Sequence, residues 1–203
     1  MSPRLKNRLT LLAIVSPFVL FFIAGRYFVD PWSLPRQNQG QLLIPHVQLE
    51  ALDLRDSDGE PYDDADTSGR WSLMYVAGAD CDRACKNGLY YQVRQVQRTL
   101  GENMDRLRRV VVLTAPASDD LRGFLDDQVA GMVETHGDAG TVKAALAPAY
   151  EETGGDALGD IFVVSPDGQI FLRYPTHEDM DATLEEAENI RLDLERTLKG
   201  SLI

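Results

Sequence analysis

The sequence predicts an α/β fold, a central mixed sheet flanked by helices, preceded by one N-terminal transmembrane helix. Three observations support this prediction. Residues 9–25 carry no charge and follow a short basic segment. Two apolar segments, 71–77 and 109–114, enclose a stretch whose apolar residues recur at helical spacing. Two more, 161–164 and 169–173, are joined by a Ser-Pro-Asp-Gly turn and predict a β-hairpin.

The N-terminal segment has the pattern of a membrane anchor. Basic residues at positions 4, 6 and 8 precede the uncharged run, which continues to residue 29 if Arg26 extends its charge to the interface. About 20 apolar residues span a bilayer. We therefore expect residues 1–8 in the cytoplasm, an anchor at 9–29, and the remainder in the periplasm of a bacterial inner membrane. A cleavable signal peptide is the alternative, but Ala24-Gly25 is followed by Arg26-Tyr27, a poor cleavage pattern.

Composition defines the part beyond the anchor. Pro31, Pro35 and Gly40 predict a linker over residues 30–45, which leaves 46–203 as one domain. The chain has 20 basic and 32 acidic residues, and four of the basic ones lie before position 30. Such an acidic domain excludes nucleic acid as a partner. Solubility explains the charge better than steering toward a basic partner.

Cys81 and Cys85 are the only two cysteines, and they lie where the strand 71–77 meets a predicted helix over 82–100. Their spacing places the sulfurs one helical turn apart, close enough to form a disulfide or to hold a soft metal ion. A helix N-terminus also lowers the pKa of a thiol. A structural disulfide is the alternative, although so short a loop stabilises a fold by only about 2 kcal/mol.

The order of the elements is that of thioredoxin. A β-α-β half is followed by a helix at 116–128 and a short helix at 141–147. The hairpin and a helix at 179–198 form the β-β-α half. The sequence therefore predicts a thioredoxin-like domain with the cysteines at the start of its first long helix.

Longer motifs carry a family resemblance. The segment Gly69-Arg70-Trp71-Ser72-Leu73-Met74-Tyr75-Val76, followed by Cys81-x-x-x-Cys85, resembles the SCO family, and so do residues 135–150 and 161–168. These are membrane-anchored thioredoxin-fold proteins that help to load copper into subunit II of cytochrome c oxidase. The anchor and Asn38-x-Gly40-x-Leu42-Leu43-x-Pro45 resemble a bacterial offshoot, the cytochrome oxidase associated membrane proteins. The resemblance implies copper as a ligand, and subunit II or other oxidase assembly factors as partners.

The chain departs from the SCO pattern at its copper site. The family usually has prolines around its cysteines, where this chain has Asp82 and Lys86, and its ligand histidine falls on Ala157. Three histidines lie elsewhere in the sequence: His46, His136 and His177. We expect none of them to be a ligand, with His136 the least unfavourable substitute. Thioredoxins also place a cis-proline before the hairpin, where this chain has Gly159-Asp160.

Together these features predict an SCO-like factor in cytochrome c oxidase biogenesis. Its expected chemistry is thiol–disulfide exchange on the copper-site cysteines of the oxidase, with Cys81 as the nucleophile and Cys85 as the resolving cysteine. Two alternatives stay open. One is a Cu(I) chaperone that uses Cys81 and Cys85 alone, and the other is a non-catalytic assembly module.

Overall fold

The computed structural model describes residues 3–28, 38–67, 69–151 and 154–201. The chain divides into two compact units, Met1–Gln37 and Asn38–Ile203. The first contains the helix Pro3–Phe28, in which the large apolar side chains between residues 11 and 23 are exposed, including Leu11, Phe18 and Phe21. Within the described residues, no helix combines the length and apolarity that crossing a membrane requires. The predicted anchor ends at residue 29, which lies outside the described ranges, as does the N-terminal half of the predicted linker, residues 30–37.

The second unit is built on one seven-stranded sheet. Its strands are β1 Gln41–Gln48, β2 Arg55–Asp56, β3 Trp71–Ala77, β4 Leu107–Leu113, β5 Val133–His136, β6 Ile161–Val164 and β7 Gln169–Tyr174. They lie in the order β1-β7-β6-β3-β4-β5-β2. The pairs β3–β4 and β4–β5 are parallel, and all other neighbours are antiparallel. The predicted mixed sheet is confirmed.

Four main helices cover the sheet. The one that follows the cysteines, here called the cysteine helix, runs as an α-helix over Arg83–Asn87, a π-helix over Gly88–Gln95 and an α-helix over Val96–Thr99. The others are Asp119–Gln128, Ala139–Leu146 and Met180–Gly200. Each of these three begins after a side chain that accepts a hydrogen bond from a first-turn N–H group: Ser118, Asp138 and Asp179.

Successive side chains of β3 point to opposite faces of the sheet, and each face is covered by its own apolar core. Leu73, Tyr75 and Ala77 face the first core, which the cysteine helix, the Asp119–Gln128 helix and the C-terminal helix cover. Met74 and Val76 face the second core, which is closed by residues 43–62 and the Ala139–Leu146 helix. Three large apolar residues in helical segments of this unit are over one third exposed: Met104, Met180 and Leu184.

The predicted end of the linker is wrong. Strand β1 begins at Gln41, inside the segment 30–45 predicted as linker, and a 3₁₀ turn at Leu49–Leu52 follows it. The reason is that β1 forms by pairing with β7, with Leu42 opposite Leu172, and such a distant partner leaves no local signal. Strand β5 was not predicted, because three of its four residues are polar or charged and it is short.

The chain enters this unit through a buried latch on the C-terminal helix. One Asp193 carboxylate oxygen accepts hydrogen bonds from the N–H groups of Gln39 (2.7 Å) and Gly40 (2.9 Å) and from the Tyr174 hydroxyl (2.8 Å). A Cβ on Gly40 would lie 2.4 Å from the Tyr174 ring, so a side chain there would force the ring to move. The motif Asn38-x-Gly40 therefore marks the point where the chain joins the domain.

Candidate redox site

Cys81 and Cys85 form a disulfide, with their Cα atoms 5.2 Å apart. It lies just beyond the carboxyl end of β3 and belongs to the first core, which also contains Tyr75, Leu89 and Leu121. The exposed fractions of Cys81 and Cys85 are 6% and 5%. Exposure therefore does not distinguish the two sulfurs.

Asp82 lies between the two cysteines in sequence and marks the start of the helix that contains only Cys85. Its carboxylate accepts the N–H of Cys85 at 2.9 Å, so it caps the helix, which begins at Arg83. Cys81 precedes the helix and only Cys85 lies in it, which corrects the expectation that both thiols share one helix face. An uncapped helix N-terminus would stabilise a thiolate. Here the Asp82 carboxylate occupies that position, and its negative charge disfavours a thiolate nearby.

A second loop approaches the same end of β3. The N–H of Gly159 donates to the Val76 carbonyl (2.8 Å), and the N–H of Val76 donates to the Asp160 carbonyl (3.1 Å). Gly159 has a φ of +86°, a conformation that side chains rarely adopt, so this loop uses a glycine where thioredoxins have their cis-proline. Ala157, at the position of the SCO histidine, is 3% exposed and packs in the second core, on the other face of the sheet from the sulfurs.

The same loop holds a buried ion pair. Arg173 Nε donates to Asp160 at 2.5 Å, and both side chains are less than 15% exposed. The Tyr150 hydroxyl donates to the same carboxylate oxygen at 2.6 Å, and the Arg173 guanidinium lies 4.1 Å from the Tyr150 ring. Burial raises the pKa of Asp160 above its ordinary value, while the bonds from Tyr150 and Arg173 act in the opposite direction.

The segment after β7 is fixed to the cysteine helix by polar side chains. Asn87 donates to the carbonyls of His177 (3.0 Å) and Glu178 (3.1 Å), and the fully buried Gln92 donates to that of Pro175 (2.9 Å). A Cβ on Gly88 would lie 2.4 Å from a Thr176 methyl group. Gln92 is the site residue that sequence reasoning could have found, since it interrupts an otherwise apolar helix face.

Burial and negative charge also act on Tyr75, which lies in the same core as the disulfide. The pKa of Tyr75 is raised by burial first and then by the charges of Asp82 and Asp160. Tyr75 therefore stays protonated at physiological pH.

The three histidines lie apart from one another. His46 is exposed on β1, where its Nδ1 is 2.9 Å from Gln169 Oε1, and His136 is exposed at the end of β5. His177 is half-buried with its Nε2 3.9 Å from a Glu186 oxygen, and its segment is the one that contacts the cysteine helix. This placement does not favour His136 as the substitute ligand.

The donor atoms for a metal are therefore few. Across residues 3–28, 38–67, 69–151 and 154–201, no three His, Cys, Asp or Glu side chains are grouped so that they could hold a metal ion. In the reduced protein the thiols of Cys81 and Cys85 would supply two sulfur donors, which suit Cu(I). Ala157 can supply no third ligand.

Comparison with known proteins agrees with this geometry. Residues 71–201 match the family model described as "Transmembrane-like, thioredoxin-like, C-terminal domain". The chain belongs to this family. A protein of Stutzerimonas stutzeri named "Putative copper-binding protein" is 24% identical over 143 residues, which cover 64% of this chain and 70% of that protein.

Solved structures establish the fold. Yeast Sco1 superimposes with a TM-score of 0.54 at 16% identity, covering 82% of this chain and 99% of that one. A SCO1/SenC family lipoprotein from Bacillus anthracis gives 0.51 at 14% identity, covering 79% and 97%. Apo Sco1 from Thermus thermophilus gives 0.51 at 14% identity, covering 81% and 99%. The predicted thioredoxin-like fold and the resemblance of this fold to that of SCO proteins are confirmed.

Proposed function

We propose that this protein is a membrane-anchored, periplasm-facing SCO-like factor that performs thiol–disulfide exchange on the copper-site cysteines of cytochrome c oxidase. The observation that carries the proposal is the Cys81–Cys85 disulfide, which lies at the end of the central strand of a thioredoxin-like sheet. The family match, together with SCO relatives of the same fold, supports the choice of process.

The reaction has two steps. In the reduced protein the Cys81 thiolate attacks a disulfide of the partner, forming a mixed disulfide and releasing one partner thiolate, which takes up a proton. The Cys85 thiolate then attacks Cys81, which forms the internal disulfide and releases the second partner thiol. Two electrons pass to the partner, and a thiol reductant must reduce Cys81–Cys85 before the next cycle.

The Cys85→Ser variant tests the chemistry. Cys81 can still attack, but no resolving thiol is present, so mixed disulfides with the partner should accumulate and be visible on non-reducing gels. The matched control is Cys81→Ser, which should accumulate far fewer. The fold should survive in both, because so short a loop contributes only about 2 kcal/mol. If both variants are folded and both show only background amounts of mixed disulfide, thiol–disulfide exchange by Cys81 and Cys85 is refuted.

The anchor and compartment are part of the proposal. The uncharged segment 9–25, the basic residues before it and the exposed apolar side chains of the Pro3–Phe28 helix support a single membrane span with the domain in the periplasm. A reporter fused after Ile203 should be active only if it is exported. A reporter that is active in the cytoplasm would show that the domain has the opposite orientation.

Copper transfer is the second candidate function. The name of the Stutzerimonas stutzeri relative favours it, and Cys81 and Cys85 alone would serve as Cu(I) ligands. A third candidate, a non-catalytic assembly module, is favoured by the burial of both sulfurs. Oxidase assembly in cells carrying Cys81→Ser and Cys85→Ser together separates the third candidate from the other two, because only a non-catalytic module would leave it unchanged.

A further inference from the structure

Positive charge is concentrated on one side of the cysteine helix. Lys86, Tyr90, Arg94 and Arg98 follow one another at intervals of four residues, starting directly after Cys85. Together with Arg109 of β4 they are called the basic strip. Its concentration of cations contrasts with the chain as a whole, which carries a net charge of −12.

Contacts place Lys86, at the start of the strip, against the Asp119–Gln128 helix. Lys86 pairs with Asp120 at 2.8 Å and lies 6.0 Å from the Phe124 ring centre. The Arg94 guanidinium lies 5.1 Å from the Tyr90 ring centre. Tyr90 and Phe124 are only partly buried against the first core, so aromatic surface is exposed among the cations.

Among the described residues, no acidic side chain forms an ion pair with an arginine of the strip. Arg109 donates to the carbonyls of Val129 (3.2 Å) and Ala130 (2.9 Å), while its buried Nε has no hydrogen-bond partner. Burial lowers the pKa of Arg109, and the charges of Arg94 and Arg98 lower it further. Arg94 and Arg98 are four residues apart, which places them on the same side of the helix. In the described part of the chain neither Arg94 nor Arg98 forms an ion pair.

Clustered cations repel one another, and this repulsion is relieved when anionic groups lie over them. Guanidinium groups favour carboxylates because they can form paired hydrogen bonds with them, and the exposed aromatic rings offer apolar contact. We infer that the basic strip is a docking surface for an acidic polypeptide segment of the thiol partner. This inference rests on the proposed exchange function, since the strip begins beside the disulfide that the partner must reach.

The test uses synthetic peptides. One carries a single cysteine flanked by aspartate and glutamate, and the other has asparagine and glutamine in their place. The rate at which each peptide forms a mixed disulfide with the full chain is measured by mass spectrometry in non-ionic detergent. Salt at about 0.01 M and about 1 M sets Debye lengths of about 30 Å and about 3 Å.

Two double variants of equal net charge isolate the strip. Arg94→Gln with Arg98→Gln removes its unpaired cations, while Arg55→Gln with Arg70→Gln removes two exposed cations from β2 and from the segment before β3. Because both variants lose two charges, the long-range repulsion of an acidic peptide is the same in each. Each peptide is compared with itself, on the strip variant and on the control variant. A difference in intrinsic thiol reactivity between the two peptides therefore does not affect the result.

The strip variant should react with the acidic peptide about threefold to tenfold more slowly than the control variant at low salt. It should react with the neutral peptide at the same rate, and the difference should disappear at high salt. Equal rates in both variants with the acidic peptide overturn the role of the strip while the exchange function stands. A disulfide that exchanges with neither peptide overturns the exchange function, and the role of the strip with it.

Discussion

Two loops meet at the carboxyl end of β3, and they bring different chemistry to it. The loop that follows β3 carries Cys81 and Cys85 into the first core as a disulfide. The loop that precedes β6 carries Ala157 into the second core and places Asp160 in a buried ion pair with Arg173. Both loops are fastened to the same strand, yet only one of them presents groups that can exchange electrons.

This difference bears on two activities, thiol–disulfide exchange and copper binding, which require different groups. Thiol–disulfide exchange needs two sulfurs, and the cysteine loop supplies both. A three-ligand copper site also needs a donor from the other loop, which here supplies packing and an ion pair instead. The arrangement therefore favours redox chemistry over Cu(II) binding.

The largest expected effect comes from breaking the ion pair. In Arg173→Met the Asp160 carboxylate is left buried without its cation, which should lower the free energy of unfolding by about 3–5 kcal/mol. Burial holds the pKa of Asp160 above its unfolded value, so the folded state binds the proton more tightly and stability falls as pH rises through the folded pKa. Urea titrations should therefore show a larger loss at about pH 7 than at about pH 4.

Lys143→Met is the matched control, because Lys143 pairs with Asp156 at the surface at 3.4 Å. That pair is largely exposed, so its loss should cost less than about 1 kcal/mol. Similar losses in Arg173→Met and Lys143→Met would mean that the second loop does not depend on its buried pair.

An intermediate effect is expected when the missing histidine is restored. Ala157→His places an imidazole in a packed core and should destabilise the fold by about 1–3 kcal/mol, as should Ala157→Leu, which is similar in size. Neither reduced variant should bind Cu(II) tightly, because Ala157 and the sulfurs lie on opposite faces of the sheet. Tight binding of one Cu(II) by Ala157→His that requires both cysteines would show that the two loops form one site.

The smallest effects concern Asp82. Asp82→Ala removes the cap on the Cys85 N–H and should cost about 1 kcal/mol, whereas Asp82→Asn keeps a capping side chain and should cost only a few tenths. Both remove a negative charge beside the disulfide, so both should be more reduced than the wild type in the same glutathione buffer. If only Asp82→Ala changed the reduced fraction, the cap rather than the charge would control the redox balance.

Sequence patterns predicted the parts of the fold whose causes are local. Strands β3, β4, β6 and β7 are apolar runs, and the helices after Ser118 and Asp179 start at capping side chains. By contrast, β1 exists because it pairs with β7, more than 120 residues away. A pattern restricted to neighbouring residues contains no information about that pairing.

The candidate site divides in the same way. The closeness of Cys81 and Cys85 follows from their spacing, but the face on which Ala157 packs depends on how the loop is fastened to Val76. The Asp160–Arg173 pair requires β6 and β7 to be aligned with Phe162 opposite Arg173. Such contacts are consequences of strand register, which the sequence of either loop alone does not reveal.

The Asp193 latch also determines how the domain would respond to a mechanical load. Tension that enters the domain at Asn38 reaches the hydrogen bonds of Gln39 and Gly40 with Asp193 before it reaches β1. These bonds would be loaded together, while the β1–β7 pairing would then open one residue pair at a time. The C-terminal helix, rather than the edge of the sheet, is therefore the first element to bear a pull on the N-terminal segment.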